Sequence, residues 1–333
     1  MPYQPQFTIT PSLLATVEEI AALRERIQGA AVELSWIPAL QKDTRTRNGH
    51  ASTAIEGNPL TLEQVRALEE GREPLASAPR HRREVTNYFA GLRYVEKNTT
   101  LKRIRHEHLF ALHRLLAGEV MDQGSAGVYR SISVRVGDHF PPHPDDVSPL
   151  MHELLDWWNH RSTDISPILS SAILHYRFED IHPFADGNGR TGRALALWEL
   201  YRRGFDSHHI FSVDEYYWEN RPAYYAALAQ VHKAGGDLSQ WLEYSALGLR
   251  QTLEQVWKRV LRFQTAHPEK IALTPKQEHL LGLIADHGNL APAQIRKLLD
   301  ISKQGAMNVL NPLIQAGLVE KHGTNKSGKY RIR

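Results

Sequence analysis

The chain has 333 residues, 41% hydrophobic and 23% charged, with no cysteine and a net charge of +3 at pH 7. This is enough apolar material for two or three packed domains, and it excludes a disulfide framework or a thiolate metal site, as fits a reducing compartment. No uncharged apolar run approaches the roughly 18 residues of a membrane span, and MPYQPQFTIT lacks the basic and apolar regions of a leader, so the expectation is a cytoplasmic protein with no membrane partner.

In chain order, Thr10-Pro11 sets a capping side chain before a proline at the first helical position. Leu13, Val17, Ile20, Leu23 and Ile27 follow at helical spacing and predict one apolar face. A second helical stretch runs from about Val32 into Ser52-Thr53-Ala54-Ile55-Glu56-Gly57-Asn58-Pro59, where Gly57 and Pro59 close it. Thr61-Leu62-Glu63-Gln64 is a capping box that opens a helix ending at Gly71. Arg80-His81-Arg82-Arg83 reads as the solvated start of a further helix through Tyr88, Leu92 and Val95, and Leu109, Leu112 and Leu116 mark another. After Gly118 the texture changes. Residues 124–130 are turn-rich, Ser131–Val136 alternates at period two, and Gly137-Asp138 supplies a turn before His139-Phe140-Pro141-Pro142. A short β-hairpin is expected there. Val147–Asn159 reads as a helix packed on the core, and Ser166-Pro167 opens the helix that carries Ile168, Ala172, Ile173 and Tyr176.

That helix leads into the densest chemistry of the chain, His182-Pro183-Phe184-Ala185-Asp186-Gly187-Asn188-Gly189-Arg190-Thr191-Gly192-Arg193, with a further helix expected from about Thr191 to Arg203. Glycines at 187 and 189 permit positive φ, so that successive N–H groups converge into an anion nest at a helix N-terminus. Asp186 is placed to hold Mg²⁺, which needs only one or two protein carboxylates when phosphate and water complete its shell. Arg190 and Arg193, three apart on one helix, can grip phosphate oxygens bidentately. His182 has the pKa range of a general base.

As a whole, residues 182–193 resemble the HPFx[D/E]GNGRxxR loop of the Fic (filamentation induced by cAMP) domain, with no gap or substitution. The resemblance implies transfer of AMP from ATP to a Ser, Thr or Tyr hydroxyl of a protein, with pyrophosphate leaving. It makes His182 the base, Asp186 the Mg²⁺ ligand, Asn188 with the Gly187 and Gly189 amides the phosphate nest, and Arg190 and Arg193 the clamp on the outer phosphates. Doc-type kinases alter the Gly-Asn-Gly-Arg segment, which is intact here. Beside this loop, Ser52-x-x-x-Glu56-Gly57 resembles the family's inhibitory motif [S/T]xxxE[G/N], in which Glu56 would pair with Arg193 and take the place of the ATP γ-phosphate. In such relatives the hairpin is a flap that registers the target segment by main-chain pairing, here through Val134, Val136, His139 and Phe140. Asn220-Arg221-Pro222-Ala223-Tyr224-Tyr225 resembles a segment lining the adenine side of the pocket; Asn220, Tyr224 and Tyr225 serve either that or aromatic core packing.

A change of composition near Thr265-Ala266-His267-Pro268 marks a linker. Beyond it, Thr274-Pro275 starts a helix through Leu280, Leu281 and Ile284 that Gly288 breaks; Ala293–Leu299 forms a second, and Ser302 caps a third. Leu318–Lys321 and Lys329–Ile332 flank a Gly-rich turn. The order resembles a winged helix-turn-helix, with Lys303 and Gln304 at the start of the recognition helix. Pro312 departs from that pattern and is expected to stop the third helix early. Residues 268–333 hold ten Lys/Arg against five Asp/Glu, so DNA is one partner this segment fits and protein another.

The expected fold class is mainly α. An N-terminal helical region over 1–105 carries the inhibitory motif, a Fic-type core with a small β-hairpin flap covers 106–250, a helix end and linker cover 251–270, and a winged helix-turn-helix covers 271–333. The partner is a protein with a hydroxyl side chain, another chain or its own, with Mg²⁺ as cofactor and ATP as co-substrate; homodimer formation is left open. Two other readings stand beside AMP transfer: removal of AMP from a modified protein, and a DNA-binding regulator whose Fic core only senses nucleotide.

Overall fold

The computed structural model describes residues 2–30, 37–74, 77–206, 208–211, 213–266, 274–315, 317–322 and 328–332. They divide into two compact units, Met1–Arg24 with Arg45–Glu254, and Glu25–Thr44 with Gln255–Arg333. The expected helix start at Val32, the linker from His267 and the turn at 323–327 lie outside the described residues.

Helices α1 (Pro11–Ala30), α2 (Ile37–Ile55), α3 (Leu62–Glu69), α4 (Pro79–Lys97), α5 (His106–Ala117) and α6 (Pro144–His160) precede the central pair α7 (Pro167–Ile181) and α8 (Asn188–Arg202). Helices α9 (Asp214–Glu219), α10 (Arg221–Lys233) and α11 (Ser239–Ala266) follow. The local signals act as their chemistry requires. Thr10 Oγ1 accepts from the Leu13 N–H at 3.1 Å, and at α3 both halves of the Thr61/Gln64 capping box are made. Helices α7 and α8 are buried on nearly every side, enclosed by others, and α8 carries buried Arg190, Arg193 and Glu199 among its apolar residues. Trp158, Trp198, Trp241, Phe178 and Phe184 are among the largest fully buried side chains, each contributing about 1.5–3 kcal/mol by leaving water.

The expected hairpin is reduced. Residues 131–135 form no strand; a turn closes on two main-chain bonds only, Val136 N–H to His139 O at 3.0 Å and His139 N–H to Val136 O at 2.9 Å. Period two produces a strand where a sheet waits to bury one face, and here both faces are largely in water, while Pro141 and Pro142 have no N–H to extend the ladder.

In the second unit, α12 (Pro275–His287), α13 (Pro292–Leu299) and α14 (Lys303–Gln315) pack with the antiparallel pair β1 (Val319–His322) and β2 (Lys329–Ile332), in which Val319 faces Ile332. Leu290 pairs with Tyr330 on the free side of β2. This is a winged helix. Helix α14 does not stop at Pro312: it runs on to Gln315. Pro312 and Asn308 are both exposed, so the carbonyl that the proline ring leaves without a donor has access to water.

Candidate active site

The loop between α7 and α8 turns on two left-handed residues. His182 caps α7 with φ 50° and ψ 60°, its N–H bonded to Phe178 O at 2.9 Å. Gly187 begins α8 with φ 76°. Between them the Asn188 side chain clasps Phe184, accepting from its N–H at 2.9 Å and donating to its carbonyl at 2.8 Å. Asn188 therefore holds the loop with its side chain, and only its N–H is left for an anion.

Two expectations change here. Helix α8 starts at Asn188 rather than near Thr191, and Gly189 has no positive φ. Its lack of a side chain has a different reason: a Cβ at 189 would run into the Glu56 carboxylate. Asn188, Gly189 and Arg190 thus form the first turn of α8, whose N–H groups have no partners within the helix and point out at its positive end.

Asp186 stands beside that end, with its side chain 30% exposed. It accepts from Gly187 N–H at 2.5 Å and Asp122 N–H at 3.2 Å, and lies 3.8 Å from Arg190 Nη2. One partly exposed carboxylate next to an anion-binding turn fits Mg²⁺, a cation that takes oxygen ligands and keeps water and phosphate in its shell. Arg190 is buried, with Nη1 donating to Leu116 O at 3.3 Å.

His182 turns Nδ1 inward, 3.7 Å from Glu179 Oε2. Burial pushes its pKa down to about 4, outweighing the Glu179 carbonyl and the Glu56 charge that act the other way; Arg130 and His139 lower it further. The imidazole is neutral at pH 7 and free to accept a proton. Burial drives the Glu179 carboxyl up to about 8, with Arg193 opposing, so it is protonated there.

Arg193, 2% exposed, is held from the end of α2. Nε donates to Ser52 Oγ at 2.8 Å, and Nη2 donates to Ser52 O at 2.9 Å and to Glu56 Oε1 at 2.7 Å. Burial alone would raise the Glu56 pKa; the charge and hydrogen bond of Arg193, with Arg190 and Arg221 beyond, outweigh it and hold the group below its ordinary value. Gly57, with φ 96°, turns the chain away behind it, and Asn58 pins the turn by donating to His81 O at 2.9 Å and Glu84 Oε2 at 2.7 Å.

Of the residues expected on the adenine side, Asn220 is exposed and caps α10, accepting from Ala223 N–H at 3.2 Å. Tyr224 is buried, its hydroxyl 3.0 Å from His175 Nε2 and its ring stacked on Tyr217. Tyr225 is 38% exposed with Arg221 over its ring. At the turn, Val136 and Phe140 are exposed, Phe140 by 71%, and Val134 and His139 are half-buried.

Three contributors have no contiguous motif. Arg130 ties turn and loop together: Nε donates to His182 O at 2.8 Å, Nη1 to Ile132 O at 2.9 Å and Nη2 to Pro142 O at 2.6 Å. His113 stacks on Phe184 at 3.6 Å, accepts from Gly127 N–H at 2.7 Å through Nδ1, and has Nε2 2.9 Å from Asp186 O. Glu179 had a signal: it lies three residues before His182, in the last turn of α7.

Residues 103–200 match the Fic/DOC family model, and residues 271–329 match the MarR family model. The crystal structure of a Fic family protein from Desulfovibrio desulfuricans G20 is 30% identical and superposes with a TM-score of 0.67, covering 99% of this chain and 98% of that one. The protein adenylyltransferase Fic of Nematostella vectensis is 33% identical over 240 residues, 70% of this chain and 53% of that protein. Caenorhabditis elegans protein adenylyltransferase fic-1 is 37% identical over 201 residues, 59% of this chain and 38% of that protein. The chain spans about half, or less, of the length of these curated relatives.

Proposed function

The chain belongs to the Fic family, and from that premise we propose that it transfers AMP from ATP to a Ser, Thr or Tyr hydroxyl of a protein, restrained by Glu56. The observation that carries this reading is His182 at the left-handed cap of α7, leading into the first turn of α8 with Asp186 beside that turn. His182 Nε2 takes the hydroxyl proton, the oxygen attacks the α-phosphorus, and the bond to pyrophosphate breaks. The amides of Asn188, Gly189 and Arg190 receive phosphate oxygens. Mg²⁺ held by Asp186 would offset their charge. The main-chain carbonyl of Glu179 favours the protonated ring once the proton has moved.

Glu56 restrains the reaction because it occupies the guanidinium of Arg193 and sets a negative charge where an outer phosphate would lie. The exposed edge at 131–140, with Val134, Val136, His139 and Phe140, receives the target segment, and the partly exposed Tyr225 ring meets adenine. The test is incubation with α-labelled ATP. Label on protein should rise in Glu56→Gly and vanish when His182→Ala is added; label that survives His182→Ala would refute the assignment. Release of free AMP from a modified protein would instead favour removal.

The winged helix carries its own reading. Lys303 and Gln304 are exposed at the start of α14, as contact with DNA requires, and full-length protein should bind duplex with affinity that falls as salt rises.

A further inference from the structure

Away from the phosphate-binding loop, three side chains from separate segments converge on one point. His139 lies at the closing position of the 136–139 turn, Asp180 in the last turn of α7, and His232 in the last turn of α10. His139 Nε2 is 3.8 Å and His232 Nε2 3.6 Å from the same oxygen, Asp180 Oδ1. The two imidazoles stack with centroids 4.0 Å apart and planes 22° from parallel. The ligating atoms of the three residues all lie within 4.8 Å of one another.

We propose that His139, Asp180 and His232 form a binding site for a divalent transition metal of the zinc class, separate from the Mg²⁺ expected at Asp186. In a tetrahedral zinc centre with bonds near 2.0–2.1 Å, neighbouring ligand atoms stand about 3.4 Å apart. The observed 3.6 and 3.8 Å are within a few tenths of an ångström of that spacing, and the two stacked rings turn out of their stack on binding so that both nitrogen lone pairs meet the ion. Two imidazole nitrogens and one carboxylate select zinc-like metals over Mg²⁺ or Ca²⁺, which prefer oxygen. Arg177 Nη1 holds Asp180 Oδ2 at 2.5 Å, so the carboxylate offers Oδ1 alone and is oriented by a hydrogen bond of the kind that supports metal ligands. His139 Nε2 also lies 3.1 Å from Asp180 O, a contact that metal binding replaces. His232 is 37% exposed, which leaves an entry path and a fourth position for water. The Tyr176 hydroxyl, 3.4 Å from His232 Nε2, borders the cluster.

The consequence is mechanical. The 136–139 turn is closed by two main-chain bonds, and a metal would join it directly to α7, two residues before His182, and to α10. The site stands whether or not this turn receives a target.

The experiment is titration of metal-free full-length protein with Zn²⁺ by calorimetry, in excess Mg²⁺, repeated with Co²⁺ to read the intense visible bands of tetrahedral coordination. The parent and His182→Ala should each take up a single equivalent at micromolar concentrations and show those bands. His139→Ala and His232→Ala should each weaken uptake by at least about tenfold and lose the bands, with melting temperature in the absence of metal confirming that each is folded; His232→Gln, which keeps a polar side chain on the half-exposed helix end, repeats the test where alanine does not fold. Uptake by His139→Ala and His232→Ala equal to the parent, loss of uptake in His182→Ala, or no uptake by the parent would each overturn the proposal.

Discussion

Replacing Glu56 with glycine isolates one contact. Glu56 Oε1 lies 2.7 Å from Arg193 Nη2, a charge-assisted hydrogen bond of a kind that contributes about 1.5–3 kcal/mol. The Glu56 side chain is 37% exposed, and water screens the pair, which brings the figure to about 1–2 kcal/mol. In the variant Arg193 keeps its place, because Ser52 still accepts from Nε at 2.8 Å and from Nη2 at 2.9 Å. Glycine is tolerated at 56, one residue past the end of α2. The lost competitor therefore appears directly as ligand affinity: a rise of about 5- to 30-fold for Mg²⁺ with a non-hydrolysable ATP analogue, at about 1.4 kcal/mol per tenfold. Isothermal titration of parent and variant reads it. A change smaller than about twofold, with the variant as stable as the parent, would refute the argument that Glu56 occupies the phosphate seat.

Glu179→Gln should stabilise the protein on the order of 1–3 kcal/mol at pH 7, because burial holds the carboxyl up near 8 and the native state must keep a proton the unfolded chain has released. The sign fixes the window: this contribution is intact below about pH 4.5 and is lost as pH rises toward 8, so the advantage of glutamine should grow from pH 5 to 8 in thermal melts. Arg130→Ala leaves the carbonyls of His182, Ile132 and Pro142 without their shared donor, and should lower stability by about 2–4 kcal/mol and the rate of labelling with it, whereas Arg130→Lys should recover only part of either. Pro312→Ala should raise the denaturation midpoint of the winged helix by an amount equivalent to about 1–3 kcal/mol, since α14 already runs through that position.

The segment 182–193 could be picked out because its parts are contiguous: glycines, carboxylate, imidazole and guanidiniums lie in one run. Helix starts were legible for the same reason, as at Thr10 and Thr61, where cap and first turn are neighbours. Arg130 and His113 were not, because their value comes from carbonyls and rings brought beside them only by folding. Gly189 was read as a backbone need when its reason is a carboxylate arriving from α2. The 131–136 alternation misled because periodicity describes a surface and says nothing about whether a sheet is there to cover it. Pro312 misled in the opposite sense, since the cost of a helical proline falls where its orphaned carbonyl can meet water.

His182 sits at φ 50°, a conformation that costs a side-chain-bearing residue about 1–2 kcal/mol and glycine almost nothing. Alanine at 182 would inherit that strain without the imidazole, while glycine or asparagine would relieve much of it. Selection for activity and selection for stability therefore pull in opposite directions at a single codon. Under the role proposed for His182, a lineage released from the need for the reaction would gain stability by replacing it with glycine or asparagine, keeping a loop of unchanged shape that is inert.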